Sequence, residues 1–308
     1  MLTQWIDPRS RLRFSRSPSG KIGLVLTISL LLLALLAPVL RPYDPGSDRS
    51  VLGRLVAPSL AHLFGTDGLG RDLLTLIWYG IQTSLLVSLI SVGLGGAIGL
   101  VLGLIAGYFR GWIEAVIGWL TDILLAFPSI LLAIAIATIT TSSLQRLELC
   151  FSLGSSRICS TTVLTSSLTS VILAVGIVQI PIYIRLTRSV VLSLREQEFV
   201  LAAKALGATA PQIILRHILP ASLSPLIVQS TLSLGTATLE AAGLGFLGLG
   251  AQPPTPELGT MLSDAFRSGY ALNSPWTTIF PGLTITLIVL AFNLLGDGLR
   301  DALDPRSS

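Results

Sequence analysis

The residues of this 308-residue chain that could do chemistry are few, and most are stranded among apolar runs. Two acids, Asp122 and Glu240, fall inside long uncharged stretches. A carboxyl group in such a place is expensive unless it faces protein or water. Glu240 therefore either lines a path or has a structural partner. Asp122 is either a proton or ion relay or a partnered acid near the interface. Cys150 and Cys159 share a Ser/Thr-rich stretch, 140–167, and either stay as thiols or close a disulfide over eight intervening residues. The only histidines, His62 and His217, are far from both cysteines and from each other, so no metal site is expected. Gly243, Gly245 and Gly248 spell G-x-G-x-x-G. That motif holds pyrophosphate only between a strand and a helix N-terminus, and here it sits in an apolar run. Neither G-x-x-x-x-G-K-[ST] nor H-E-x-x-H nor G-x-S-x-G occurs. No catalytic residue and no cofactor of the chain's own are expected.

The elements that must position these residues are membrane helices. The chain is 51% hydrophobic and only 12% charged, and its mean hydropathy is +0.79. Soluble domains carry about twice that share of charge. The net charge of +4 is spread between apolar runs without an aromatic-basic platform, which argues against nucleic acid and for a lipid bilayer. A span takes about 20 residues, and by that measure six are expected: 22–40, 82–107, 115–139, 168–188, 223–247 and 276–296. The predicted fold is all-α, with about six transmembrane helices. The run at 22–40 is too long for a signal peptide and reads as a retained span. Its preceding tail, residues 1–21, holds Arg9, Arg11, Arg13, Arg16 and Lys21 against Asp7 and favours the cytoplasm. Both termini then face inside, with thirteen Lys/Arg on that side and seven outside.

Within the second span Gly95, Gly99, Gly103 and Gly107 recur every four residues and share one helix face. Small residues so arranged let two helices meet backbone to backbone, in this chain or in a second subunit. The third span carries Trp112 and Trp119 for the interfacial belt and Pro128 as a kink. Arg185 and Arg188, ending the fourth, are placed to snorkel to the interface. The first outer segment, Arg41 to Tyr79, contains GTDGLGRD, read as solvated turns with Asp67 or Asp72 pairing Arg71. After the fifth span, AQPPTPELG is stiffened by Pro253, Pro254 and Pro256. Behind the sixth, Asp297, Arg300, Asp301, Asp304 and Arg306 form either a solvated end or a further partner contact.

One polar stretch, Glu196 to Pro220, interrupts the apolar pattern inside the 189–222 loop. Its first half suits a short helix; Gly207 can take the left-handed conformation that ends it, and Pro211 suits the first turn of a second. Pro220 is expected to stop that second helix. A bent helical pair with a smooth alanine face has the shape of a docking knob. The stretch resembles the EAA loop of ATP-binding-cassette (ABC) importer permeases, with Ala202, Ala203, Gly207, Leu219 and Pro220 on the pattern and Lys204 beside them. Leu201 stands where that pattern has Glu, and His217 where it has Ile. FGTDGLGRD, GFLGLGAQPPTPELGTMLSDA and FNLLGDGLRDALDP are similar to the dipeptide/oligopeptide branch. The resemblance implies a bacterial inner-membrane permease domain over 22–308, with core spans in 82–296. It also implies a homologous second permease subunit, two ATPase subunits that bind ATP and Mg and grip the loops, and an extracytoplasmic solute-binding protein. Solutes of that branch are peptides, nickel, glutathione or opines. A stand-alone secondary transporter or channel is the competing reading, and it expects paired broken helices or several buried ionisable groups.

Overall fold

The computed structural model describes residues 13–15, 17–45, 48, 50, 52–145, 151–153, 156–158 and 166–303. Cys150, Cys159, Asp304, Arg306 and most of the N-terminal tail lie outside them.

Helix α1, Pro18–Leu40, starts where the Ser17 hydroxyl accepts the Gly20 N–H at 3.3 Å, with proline in its first turn. Helix α2, Leu73–Tyr108, is capped by Asp72, whose carboxylate accepts the Thr75 N–H at 3.0 Å. Its 36 residues extend about 54 Å, well beyond a hydrocarbon core of about 30 Å. For that reason α2 begins nine residues before the expected position 82 and takes in the end of the first loop. The expected third span is not one kinked helix. It is two, α3 (Trp112–Ala126) and α4 (Ser129–Gln145), meeting at 96°. Pro128 forces Phe127 into an extended conformation and removes an N–H, which ends one helix outright instead of bending it.

Strands β1 (Phe151–Leu153) and β2 (Ser156–Ile158) form a small antiparallel pair after α4, the only named strands among the described residues, where an isolated bridge also joins Thr66 and Asp72. Then come α5 (Ser166–Leu194), α6 (Glu198–Ala205), α7 (Ala210–Ile213) and α8 (Leu219–Phe246). After these follow α9 (Leu258–Arg267), α10 (Tyr270–Asn273) and α11 (Trp276–Leu303). Among the described residues five helices are long and apolar enough to cross a membrane, or six where the bent pair counts as one span.

Three apolar clusters hold the bundle. Val87, Ala133, Val175 and Leu244 join α2, α4, α5 and α8. Leu30, Ile81, Leu258 and Ile288 join α1, α2, α9 and α11. The third joins the ends of α2 and α5 to the helical pair α6–α7, and that side is called the knob end below.

Helix α2 lies along α5 for most of its length because its four-residue glycine ladder faces that helix. A β-carbon on Gly95 would come within 2.5 Å of the Gly176 carbonyl oxygen, and one on Gly103 within 2.5 Å of Thr187 Cβ. On Gly107 it would approach Val191 Cβ at 2.7 Å. The partner of the ladder is thus a helix of the same chain.

Candidate functional site

The knob is built from the sequence up. Val200, Ile213 and Ile218 are almost fully buried and pack on Leu104 of α2 and Val191 of α5. Arg195 donates to the Tyr108 carbonyl at 2.9 Å, and Arg110 pairs with Glu196 at 2.9 Å. These contacts seat α6 and α7 on the main bundle. Helix α6 ends as the Ala208 N–H reaches the Ala203 carbonyl at 3.0 Å, a closure that needs left-handed backbone at Gly207, where φ is +83°. Thr209 and Gln212 cap α7 reciprocally, the Thr209 N–H donating to Gln212 Oε1 at 2.9 Å.

Pro220 does not stop α7. A π-helical turn at Ile214–Ile218 leads straight into α8, where Pro220 occupies the first turn. The wider turn carries an extra residue, and a proline at a helix start needs no N–H partner. The second helix of the knob and the fifth membrane helix are consequently one continuous rod from Ala210 to Phe246, with α6 joined to it through the turn at Gly207.

At the tip Ala202, Lys204, Leu206 and Gly207 are exposed while Ala203 is half-buried. Leu206 is 89% exposed and Leu201 53%. Leu201, at the position of the pattern's glutamate, thus presents an apolar contact. His217 sits half-buried near Phe199, their ring centroids 6.5 Å apart.

The two acids behave differently. Glu240 is half-buried in α8 and accepts from Gln179 Nε2 of α5 at 3.4 Å. Asp122 is not a buried acid. Its side chain is 71% exposed in this chain and pairs with Arg185 at 3.2 Å, because the turn at Pro128 swings α3 off the bundle. Arg188 likewise contacts Glu114 of α3, its Nε donating at 3.1 Å. Arg185 and Arg188 therefore clasp α3 across a cleft of about 600 Å³ instead of extending freely to the interface.

At the far end, Asp72 gathers Arg41 (2.7 Å), His62 (3.1 Å) and Thr75, tying the end of α1 and its loop to the start of α2. Burial pushes its acidity the wrong way, but the hydrogen bonds from Thr75 and His62 and the Arg41 charge outweigh it and hold the carboxyl below the ordinary range. Arg71 pairs with Asp67 at 2.6 Å.

Two residues had no individual signal in the sequence reading. Glu257 is buried at the start of α9, with Gly259 N–H on Oε1 and Thr260 N–H on Oε2, both at 2.8 Å. Burial raises its pKa to about 7. The available sign was an acid directly before the strongly amphipathic run LGTMLSDAFR. Gln179 is 1% exposed and its Oε1 has no partner; its position opposite Gly95 on a facing helix was the available clue. Among the described residues no three His, Cys, Asp or Glu side chains group to hold a metal.

A bundle of five or six membrane helices, with a short helical pair projecting as an exposed knob, is the architecture of a membrane transport component. The comparisons make this specific: residues 99–308 match the binding-protein-dependent transport system inner membrane component, and residues 3–58 match the N-terminal TM domain of oligopeptide transport permease C. The chain belongs to the binding-protein-dependent ABC importer permeases, of the dipeptide/oligopeptide C type.

It is 48% identical over 285 residues to the dipeptide transport system permease protein DppC of Alkalihalophilus pseudofirmus, covering 92% of this chain and 85% of that one. It is 42% identical over 294 residues to the glutathione transport system permease protein GsiD of Escherichia coli O6:K15:H31, covering 96% and 88%. Among solved structures, the inward-facing MetNI methionine ABC transporter shares the fold. There the TM-score is 0.56 at 20% identity, over 74% of this chain and 96% of that one.

Proposed function

We propose that this chain is one half of a permease pair that moves di- or oligopeptides, or a related small solute such as glutathione, nickel or an opine, into the cytoplasm. The relatives named for dipeptide and glutathione transport support the solute class. The chain itself is non-catalytic: two ATPase subunits bind ATP and Mg and grip the loops around Gly207, and an extracytoplasmic binding protein delivers the solute to the far end. A homologous permease subunit completes the pathway. The knob end and both termini face the cytoplasm of a bacterial inner membrane, in keeping with thirteen Lys/Arg on that side against seven on the other.

The observation that carries this reading is the rod from Ala210 to Phe246, which begins three residues past the turn at Gly207 and runs unbroken from the knob into a membrane span. Closure of the ATPases carries the tip with them, and α8 moves as the tip moves. The stand-alone transporter reading expects paired broken helices, whereas the described residues contain one bent pair. Purifying the tagged chain in mild detergent tests the proposal. An ATPase and a second multi-span subunit are expected to accompany it, and recovery of the chain alone with full transport in liposomes would overturn it.

A further inference from the structure

One face of α8 stays open for much of the length of the helix. Pro225, Gln229, Leu232, Thr236 and Glu240 follow one another at spacings of four, three, four and four, so they share that face, and none of them is buried. Its first part lines a cavity of about 610 Å³ at the knob end, where Leu186 of α5 and Arg300 of α11 form further walls. Beyond the cavity Thr236 is exposed, and Glu240 is half-buried one turn further on. Lipid cannot solvate a carboxylate, so a membrane-helix face that carries one is turned to water or to protein.

Glu240 has no cation beside it. Among the described residues no Lys, Arg or His pairs with it, and Gln179 Nε2 donates to it at 3.4 Å. The same amide carries Gln179 Oε1, which has no partner although the residue is only 1% exposed. A carboxylate and an unsatisfied carbonyl oxygen thus stand side by side, and both are acceptors. Acceptors so placed are costly until a donor arrives. A primary ammonium group, with three N–H donors and a positive charge, satisfies both at once. An anion would be repelled, and two such side chains supply too few ligands for a divalent cation. Among the described residues no cluster of three His, Cys, Asp or Glu includes Glu240.

We propose that this face of α8 lines the solute path and that Glu240, backed by the Gln179 amide, takes the free ammonium group of the solute in transit. The site rests on the permease reading above and narrows its solute class, because peptides and glutathione carry such a group and nickel does not. A solute that leaves Glu240 toward the knob end passes Thr236 and Gln229 and enters the cavity beside Arg300.

The test is thiol labelling in inverted membrane vesicles that hold the whole transporter, with Cys150 and Cys159 replaced by serine. Thr236→Cys is the reporter, one helical turn and about 6 Å from Glu240. Two methanethiosulfonates of similar size are compared, one bearing trimethylammonium and the other sulfonate, each corrected for its rate on free cysteine. Both are expected to react, the cationic reagent about tenfold faster, with that preference lost in Glu240→Gln and kept in Glu240→Asp. Dialanine, added without the delivery protein so that protection reports the path alone, is expected to slow the cationic reagent severalfold. N-acetyl-dialanine, which has no ammonium group, is expected not to slow it. Absence of reaction with either reagent overturns the path, since lipid or the second permease subunit then covers the face. An unchanged charge preference in Glu240→Gln overturns the site, as does equal protection by the acetylated peptide or no protection by dialanine. Uptake of dialanine and glutathione by the unmodified transporter scores the permease reading separately, so the labelling and the uptake can fail independently.

Discussion

Gly99 of α2 and Tyr183 of α5 meet on facing helices: a β-carbon on Gly99 would clash with Tyr183 Cβ and lie 2.8 Å from the Ile180 carbonyl oxygen. Backbone cannot rotate away as a side-chain tip can, so the helices would have to part. Overpacking of this kind costs about 1–3 kcal/mol. Gly99→Ala is therefore expected to lower the thermal unfolding midpoint of the detergent-solubilised protein. Gly93→Ala, on the same helix with nothing within 4 Å, is expected to be neutral or mildly stabilising. Equal effects at the two positions would refute the packing account.

Gly207 poses the opposite case. Its φ is +83° and no atom lies within 4 Å of an added β-carbon, so any penalty there comes from backbone conformation alone. Left-handed backbone costs a non-glycine residue about 1–2 kcal/mol, Asn less than Ala, and proline cannot adopt it. Uptake and ATPase coupling should decline in the order Gly207→Asn, Gly207→Ala, Gly207→Pro, with the protein still inserted. A flat series would mean that the turn bears no load.

Leu201 tests what the tip offers its partner. It is 53% exposed where related loops carry Glu. If a polar contact governs that position, Leu201→Glu should tighten co-purification of the ATPase severalfold. Unchanged recovery would show that apolar packing suffices.

The glycine ladder and the knob were legible in the sequence for the same reason: both are local. A period of four fixes a helix face wherever the helix goes, and Gly207 followed by Pro211 fixes a turn without reference to the rest of the chain. Asp122 has the partner that one of its two readings expected, Arg185, but its exposure depends on the direction α3 takes after Pro128, and sequence distinguishes a bend from a break only weakly. Pro220 misled for a related reason. Proline ends a regular α-helix, but a π turn before it converts a stop into a start. Glu240 showed itself as an expensive acid, whereas Gln179, its partner, comes from a helix distant in sequence.

Asp72 gathers four donors at the far end. Asp72→Ala removes the cap of α2 and frees Arg41, His62 and Thr75 together. Loss of a cap costs about 1 kcal/mol and each further buried bond about as much. Faster amide exchange over residues 52–76 is the expected result, with Asp72→Asn intermediate because one oxygen still accepts. The carboxyl is held below its ordinary pKa of 3.8, so this support is complete above that value and is lost only as the pH falls through the depressed one.

Glu257 should make the seating of α9 depend on pH in the reverse sense. Its cavity is lined by Ser84, Val87, Leu168, Val171, Ala241, Gly250 and Ala251, so among the described residues it has no cation to offset burial. The two amide hydrogen bonds from α9 favour the ionised form but do not overcome desolvation, and the pKa rises from 4.5 to about 7. When α9 lifts away the carboxyl returns to its ordinary value, so docking takes up a proton between those limits. The docked state is therefore most favoured below pH 4.5, weakens as the pH climbs toward 7 and is constant above it. At about 1.4 kcal/mol per unit the swing is at most about 3.5 kcal/mol. Amide exchange across residues 257–268, corrected for intrinsic rates, should show stronger protection at pH 5 than at pH 8. Glu257→Gln, neutral throughout, should stay protected at both. Protection that grows with pH in the unmodified chain would mean that the amide bonds outweigh burial, and that Glu257 caps α9 as a permanent anion.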